Sequence, residues 1–261
     1  MKHTVIGKVE EYILDNLERH GALMFSLIDP LDYRDVDHAV NTAVQANEGG
    51  ADVILIGGSM GVQGELLDDI TRRIKENVNI PVILFPGNIG TITRYADAIY
   101  FMSLMNSRNP YWITMAQTLA APIILKSKIE PLPVGYIVVE PGGTVGWVGD
   151  VNLIPRNKPK VAAALAMSAQ FTGSRFIITD TGSNPPTGPI PLEMISYVSR
   201  SITVPYIVAG GIKTPDTAAA IIKAGGDIVQ IGTLLERSSD VKEQVSKIVH
   251  SIREAARSKP K

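Results

Sequence analysis

The pattern of this chain specifies an α/β fold: a single (β/α)8 TIM barrel spanning residues 1–261. Length is the first reason, because 261 residues match the size that one such barrel takes. The second is a set of eight short runs rich in Val, Ile and Leu that lack polar alternation, as parallel strands covered on both faces do. The third is the helix-length segments between the runs, which make the chain a string of βαβ units. Eight units favour a closed barrel over an open sheet.

In chain order, residues 1–20 read as an amphipathic helix with acids and bases interleaved. The strands fall at 22–28, 53–56, 82–85, 98–102, 134–139, 175–179, 206–209 and 228–231. Helices are expected at 35–48, 64–76, 111–125, 160–171, 191–199 and 215–224, with only a short helix, 91–97, after the third strand. The apolar stretch 121–126 is taken as the end of the preceding helix rather than a strand. The segment Thr214-Pro215-Asp216 is a helix start, with a capping hydroxyl, a first-turn proline and an acid in sequence. Residues 150–159, with two prolines, and 181–191, with four, are loops. The charged tail from Glu254 onward is expected to fray.

Composition narrows the function. Lys and Arg total 25 against 26 Asp and Glu, which gives no footprint for nucleic acid or an anionic membrane. There is no cysteine, so disulfides, thiolate nucleophiles and Cys-based zinc sites are excluded. The first 20 residues lack a continuous apolar core and no run is long enough to span a bilayer, so the expected location is cytoplasmic, with no integral membrane segment.

Two glycine-bearing strand ends carry the sharpest local signal. Residues 207–212 (IVAGGI) and 227–236 (DIVQIGTLLE) place Gly210, Gly211, Gly232 and Thr233 after strands 7 and 8. Backbone amides there are unobstructed, and these loops form a recurrent phosphate site in barrels. The same pair suits a flavin mononucleotide phosphate. Asp29 closes strand 1, and a carboxylate there suits Mg2+ alongside phosphate oxygens. Ser59 closes strand 2 beside it, with a hydroxyl for the same ion. Strand 6 runs out through Thr179-Asp180-Thr181-Gly182-Ser183-Asn184, and Tyr111-Trp112 forms an aromatic lip near the same rim.

Several longer segments give the chain a family likeness: FPGN at 85–88, RYADAI at 94–99, the FMSLxNSxNPYW pattern at 101–112, GYxVVEPGGTVGWVGD at 135–150 and PRNKP at 155–159. Together they resemble the geranylgeranylglyceryl phosphate synthase family over residues 27–236. The resemblance implies a magnesium-dependent prenyltransferase. It would join geranylgeranyl diphosphate to the C3 hydroxyl of sn-glycerol 1-phosphate in a first ether bond of archaeal membrane lipids. Asp29 and Ser59 match the family's metal positions. Residues 178–184 match its glycerol-phosphate loop, and Gly210–Gly211 with Gly232–Thr233 match its phosphate-binding pairs. A homo-oligomer and transient membrane contact are further implications. One departure stands out. The family's strand 6 motif Tyr-Leu-Glu-Ala-Gly-Ser-Gly reads here as Ile178-Thr179-Asp180-Thr181-Gly182-Ser183-Asn184. Asp180 therefore takes the place of the glutamate as proton acceptor, and Ile178 loses a phenolic hydrogen bond.

On this reading the prenyl chain needs an apolar groove, for which Phe101, Leu104, Tyr111 and Trp112 are the candidates. Two other classes use similar loops: a flavin-dependent or sugar-phosphate isomerising barrel, and a non-catalytic phosphate-ligand binding protein.

Overall fold

The computed structural model describes residues 6–58 and 60–258. Its eight parallel strands close on themselves in chain order, from β1 (Leu23–Ile28) through β2 (Val53–Ile56), β3 (Val82–Leu84), β4 (Ala98–Leu104), β5 (Glu130–Val138), β6 (Phe176–Asp180) and β7 (Tyr206–Ala209) to β8 (Ile228–Ile231). Closure is made by β8 against β1, with Phe25 opposite Gln230. All eight expected strands are present. β5 begins four residues earlier than its sequence pattern, at Glu130, because Pro131 and Pro133 mask the run. Their missing N–H groups cost nothing there, since β6 pairs with β5 only from Val134 onward.

Alternation along each strand divides the core. Leu23 and Phe25 of β1, Leu55 of β2, Val134 of β5 and Ile178 of β6 fill the barrel interior. Met24, Ile54, Ile137 and Val208 point outward against the helices. Strands of four residues such as VILI are buried on both faces, which is why their sequence is apolar throughout.

The helices are α1 (Lys8–His20), α2 (Val36–Glu48), α3 (Gly64–Asn77), α4 (Ala116–Ser127), α5 (Gly143–Val148), α6 (Pro159–Phe171), α7 (Leu192–Ser199), α8 (Pro215–Lys223), α9 (Thr233–Glu236) and α10 (Val241–Arg257). Three of these helices, α2, α8 and α10, start at a capping side chain. Asp35 accepts from the His38 amide at 2.8 Å, and Thr214 accepts from the Thr217 amide at 3.1 Å. α1 plugs the amino end of the barrel: Val9 and Ile13 join the interior cluster with Leu23 and Phe176. Its first turn is held by the Glu130 carboxylate, which accepts from the amides of Val9 (2.7 Å) and Glu10 (2.9 Å).

Four expectations need correction. The short helix at 91–97 is absent; that connection is a series of turns, pinned by Thr93 Oγ1 accepting from the Tyr95 amide at 3.3 Å and by Asp97 bonding Lys75 and the Val82 amide. The segment expected as one helix from Tyr111 is a π-turn, Tyr111–Met115, leading into α4. α5 falls within a motif read only as a strand end, because its six residues include two glycines. The tail does not fray at Glu254: α10 runs on to Arg257, anchored by buried Ile252 and Ala255.

Candidate active site

Two cavities open at the carboxyl ends of the strands, and they meet. The larger encloses about 1150 Å3, open mouth included. Its wall is largely apolar: Phe85, Ile99 and Met102 from the strands, Trp112, Ala116, Ala120 and Ile124 along the π-turn and α4, and Val145 and Val148 from α5. The smaller is polar and glycine-lined, with Ser183, Asn184, Gly210, Gly211, Lys213, Gln230, Gly232 and Thr233 on its wall. Leu27, Asp29, Asp180, Gly182 and Ser183 belong to both. The junction is therefore marked by two carboxylates.

Asp180 ends β6 and is 7% exposed. Its Oδ2 accepts from the Tyr136 hydroxyl at 2.7 Å and its Oδ1 from the Gly182 amide at 2.7 Å. Burial pushes its pKa above the usual carboxylate range, while those hydrogen bonds pull the other way. Asp29, after β1, is pushed up to about 6 by burial and by the nearby charge of Asp32, against a weak 3.4 Å bond from the Leu31 amide. Glu236, at the end of α9, reaches about 7 through burial and repulsion from Asp32 and Asp29. Acidic groups thus crowd this rim, and burial with mutual repulsion favours the neutral form of Asp29 and Glu236.

Glycine is needed at the strand 7 end. Gly210 has φ +84°, and a Cβ there would lie 2.5 Å from Thr181 Oγ1 and 2.7 Å from Asp180 Oδ1. At Gly211, φ is +71° and a Cβ would meet the backbone of Gly188 and Pro189 at 2.8 Å. Gly232 differs: its φ is −121° and a Cβ would make only ordinary contact with Leu27, so sterics alone do not demand glycine there. Arg156, from the PRNKP segment, spans the neighbouring loops by donating to the carbonyls of Pro189 (2.7 Å), Gly188 and Glu140 (both 3.4 Å).

The sequence-derived residues divide accordingly. Asp180, Gly182, Ser183, Asn184, Gly210, Gly211, Gly232 and Thr233 line the polar cavity, and Asp29 lies between the two. Ile178, Thr179 and Thr181 do not line either cavity. Ile178 points into the barrel interior, Thr179 Oγ1 shares a 2.7 Å hydrogen bond with the Tyr206 hydroxyl on the outer side, and Thr181 is fully buried against Gly210. Strand alternation explains Thr179, since only every second side chain faces the axis; Ile178 faces the axis but lies one inward position below Asp180, within the packed core. Ser59 lies outside the described residues. Among the groove candidates, Phe101, Leu104 and Trp112 line the apolar cavity. Tyr111 does not; it stacks edge-on against Trp112 at 4.8 Å. Sequence reasoning missed Tyr136, Lys213, Gln230 and Glu236. For Tyr136 and Gln230 a signal existed, a polar side chain at an inward strand position near the carboxyl rim.

Fold and site define a (β/α)8 barrel whose polar, glycine-lined pocket adjoins an apolar groove. The PcrB family model matches residues 17–252, and the chain belongs to that family. Among similar proteins, geranylgeranylglyceryl phosphate synthase of Thermococcus kodakarensis is 50% identical over 93% of this chain and 95% of its own length. That of Methanobrevibacter smithii is 48% identical over 95% and 98%. Among solved structures, (S)-3-O-geranylgeranylglyceryl phosphate synthase from Thermoplasma acidophilum, in complex with its substrate sn-glycerol-1-phosphate, matches with a TM-score of 0.89 and 35% identity, covering 96% of this chain and all of that one. No helix among the described residues is long and apolar enough to cross a membrane.

Proposed function

We infer that this chain transfers the prenyl group of geranylgeranyl diphosphate to the C3 hydroxyl of sn-glycerol 1-phosphate, forming an ether and releasing diphosphate. The observation that carries this reading is the junction of an apolar groove with a polar, glycine-lined pocket at two carboxylates. Each compartment suits one substrate, and the reacting ends meet at the junction. The prenyl chain fits the groove along α4, where each buried CH2 contributes about 0.8 kcal/mol. The glycerol phosphate fits the pocket, where backbone amides at Gly210, Gly211, Gly232 and Thr233 bind its phosphoryl oxygens, and Lys213 adds a positive charge at the wall.

Holding both substrates on either side of the junction removes much of the entropic barrier to their meeting. Asp180 accepts the proton of the glycerol hydroxyl as the C3 oxygen bonds to C1 of the donor and the C1–O bond to diphosphate breaks. Its raised proton affinity suits an acceptor of that kind.

The same reading gives magnesium as the metal. The described residues contain no cluster of three metal-ligating side chains, but Asp29 is a poorly compensated carboxylate facing the junction. That fits an ion held by one or two protein groups and completed by phosphate oxygens. Asp29 would hold it, with Ser59 as the second position. When bound, magnesium supplies Lewis-acid stabilisation to the departing diphosphate. A homo-oligomer and a cytoplasmic location with transient membrane contact belong to this reading as well.

Incubation of the purified chain with magnesium, sn-glycerol 1-phosphate and prenyl diphosphates of several lengths tests the reading. The expected product is the geranylgeranyl ether with release of diphosphate. No ether from any donor would overturn the activity. Full turnover in the presence of a chelator would remove the metal but leave the transfer.

A further inference from the structure

The reaction as derived leaves one buried polar group without a part. Tyr136, in the third position from the end of β5, is 2% exposed and turned into the barrel. Its hydroxyl donates its single proton to Asp180 Oδ2 at 2.7 Å, while Oδ1 is occupied by the Gly182 amide. The carboxylate is thus gripped at both oxygens by groups from different parts of the fold. The Tyr136 ring is itself fixed: Phe85 packs edge-on against it at 5.6 Å and against Tyr100 at 5.5 Å. Tyr136 also lies on the wall of the apolar cavity, so the hydroxyl reaches Asp180 from the donor's side of the junction.

We propose that Tyr136 is a positioning residue for prenyl transfer, its hydroxyl holding the Asp180 carboxylate in the orientation that meets the glycerol hydroxyl. The two hydrogen bonds, one at each oxygen, fix the side-chain torsions of Asp180 and hence the direction in which its remaining lone pairs point. β6 offers no polar side chain of its own facing the interior beside it: Ile178, the preceding inward position and the lateral partner of Tyr136, is aliphatic. The hydroxyl comes instead from β5. Donation to the ionised carboxylate favours its charged form, so the same contact lowers the pH at which Asp180 becomes an acceptor. The other ionisable groups on the joined cavities are Asp29, Asp32 and Glu236 from the β1 and β8 ends, Lys213 after β7, and Tyr100 on β4.

The inference rests on Asp180 being the proton acceptor, so the test carries both variants. In the full chain with magnesium, kcat and KM for both sn-glycerol 1-phosphate and the prenyl donor are measured against pH for the wild type, Tyr136→Phe, Asp180→Ala and the double variant. Tyr136→Phe is expected to lower kcat by up to about a hundredfold, to leave KM for the prenyl donor unchanged, and to move the acid limb of the profile to higher pH. The double variant is expected to be no slower than Asp180→Ala alone. Wild-type kcat and an unmoved acid limb in Tyr136→Phe, with Asp180→Ala inactive, overturn the role of Tyr136. Near-normal turnover in Asp180→Ala instead overturns the role of Asp180. Should Tyr136→Phe fail to fold, 3-fluorotyrosine at position 136 makes a stronger donor of nearly the same shape. The acid limb then moves to lower pH, and a limb that stays put overturns the proposal.

Discussion

Asp180 and Asp29 sit at one junction but are held in different ways. Asp180 is nearly sealed from solvent, and both its oxygens are engaged. Asp29 has one long bond and an acidic neighbour, and burial pushes it to about 6. The first arrangement suits a base whose aim matters; the second suits a ligand waiting for a cation. Asp180→Ala is expected to preserve the fold and donor binding while lowering turnover by about 10²–10⁴, the range for a lost general base, as read in steady-state assays. For Asp29 the prediction concerns stability as well as rate. Its folded-state pKa lies above the unfolded value near 3.8. Folding therefore favours the neutral form: the contribution is complete below about 3.8 and is lost as pH rises through about 6. Without metal, Asp29→Asn, which cannot ionise, is expected to melt higher than the wild type at pH 7 and level with it near pH 4. After a discount for partial exposure the gain is about 1 kcal/mol, or about 2 °C for a chain of this size. The same variant is expected to lose magnesium-dependent turnover. Equal melting at both pH values would show that the Asp29 carboxylate is not strained.

At the scale of elements, the pocket depends on how the β6–α7 loop lies against the strand 7 end. Gly211 admits the loop because the Gly188 and Pro189 backbone occupies the space of a Cβ, and Arg156 ties those residues down. Gly211→Ala meets both a positive φ and a backbone clash. It is expected to cost about 1–3 kcal/mol, seen in thermal melts, and to raise KM for sn-glycerol 1-phosphate with less effect on KM for the prenyl donor. Equal changes in both KM values would detach this loop from the phosphate pocket. The strands were legible because each is a run of apolar residues with no competing period, and the capped helices because Asp35 and Thr214 announce their starts. α5 was not, since a six-residue helix containing Gly143 and Gly146 has no amphipathic signature. The site was legible where chemistry follows backbone: Gly210, Gly211 and Asp29 all stand at strand ends. It was illegible where it depends on inward register across strands. Tyr136 meets Asp180 only because β5 and β6 align Val138 with Asp180, and no local spacing in either strand reveals that pairing. The outward register of Thr179 and the depth of Ile178 keep both off the pocket wall.

Across the whole molecule the barrel separates stability from chemistry along its axis. Its amino end is closed by α1, whose Val9 and Ile13 complete the interior core and whose first amides are held by Glu130. Nearby charges are spent on structure: Arg175 pairs with buried Glu10 at 2.7 Å, and Arg253 with buried Asp52 at 2.7 Å. The carboxyl end is left open, with Asp29 held by a single long hydrogen bond and with glycine-bared backbone at the strand 7 end. Substitution at the closed end is therefore expected to change melting and leave catalysis alone. Ile13 is fully buried, so Ile13→Ala removes apolar atoms and leaves a cavity, at a cost of about 2–5 kcal/mol. Glu130→Gln weakens the hold on the α1 amides and is expected to cost about 0.5–2 kcal/mol. Both variants are expected to lower Tm while keeping kcat and both KM values at wild-type levels well below their melting points. Buried interior side chains such as Leu23, Phe25, Phe176 and Ile178 lie between Ile13 and Asp180, and no described α1 residue lines either cavity at the carboxyl end, so a loss of packing at the plug is expected to stay local. A fall in kcat without a fall in Tm would mean that α1 reaches the active end by some coupling through the barrel interior.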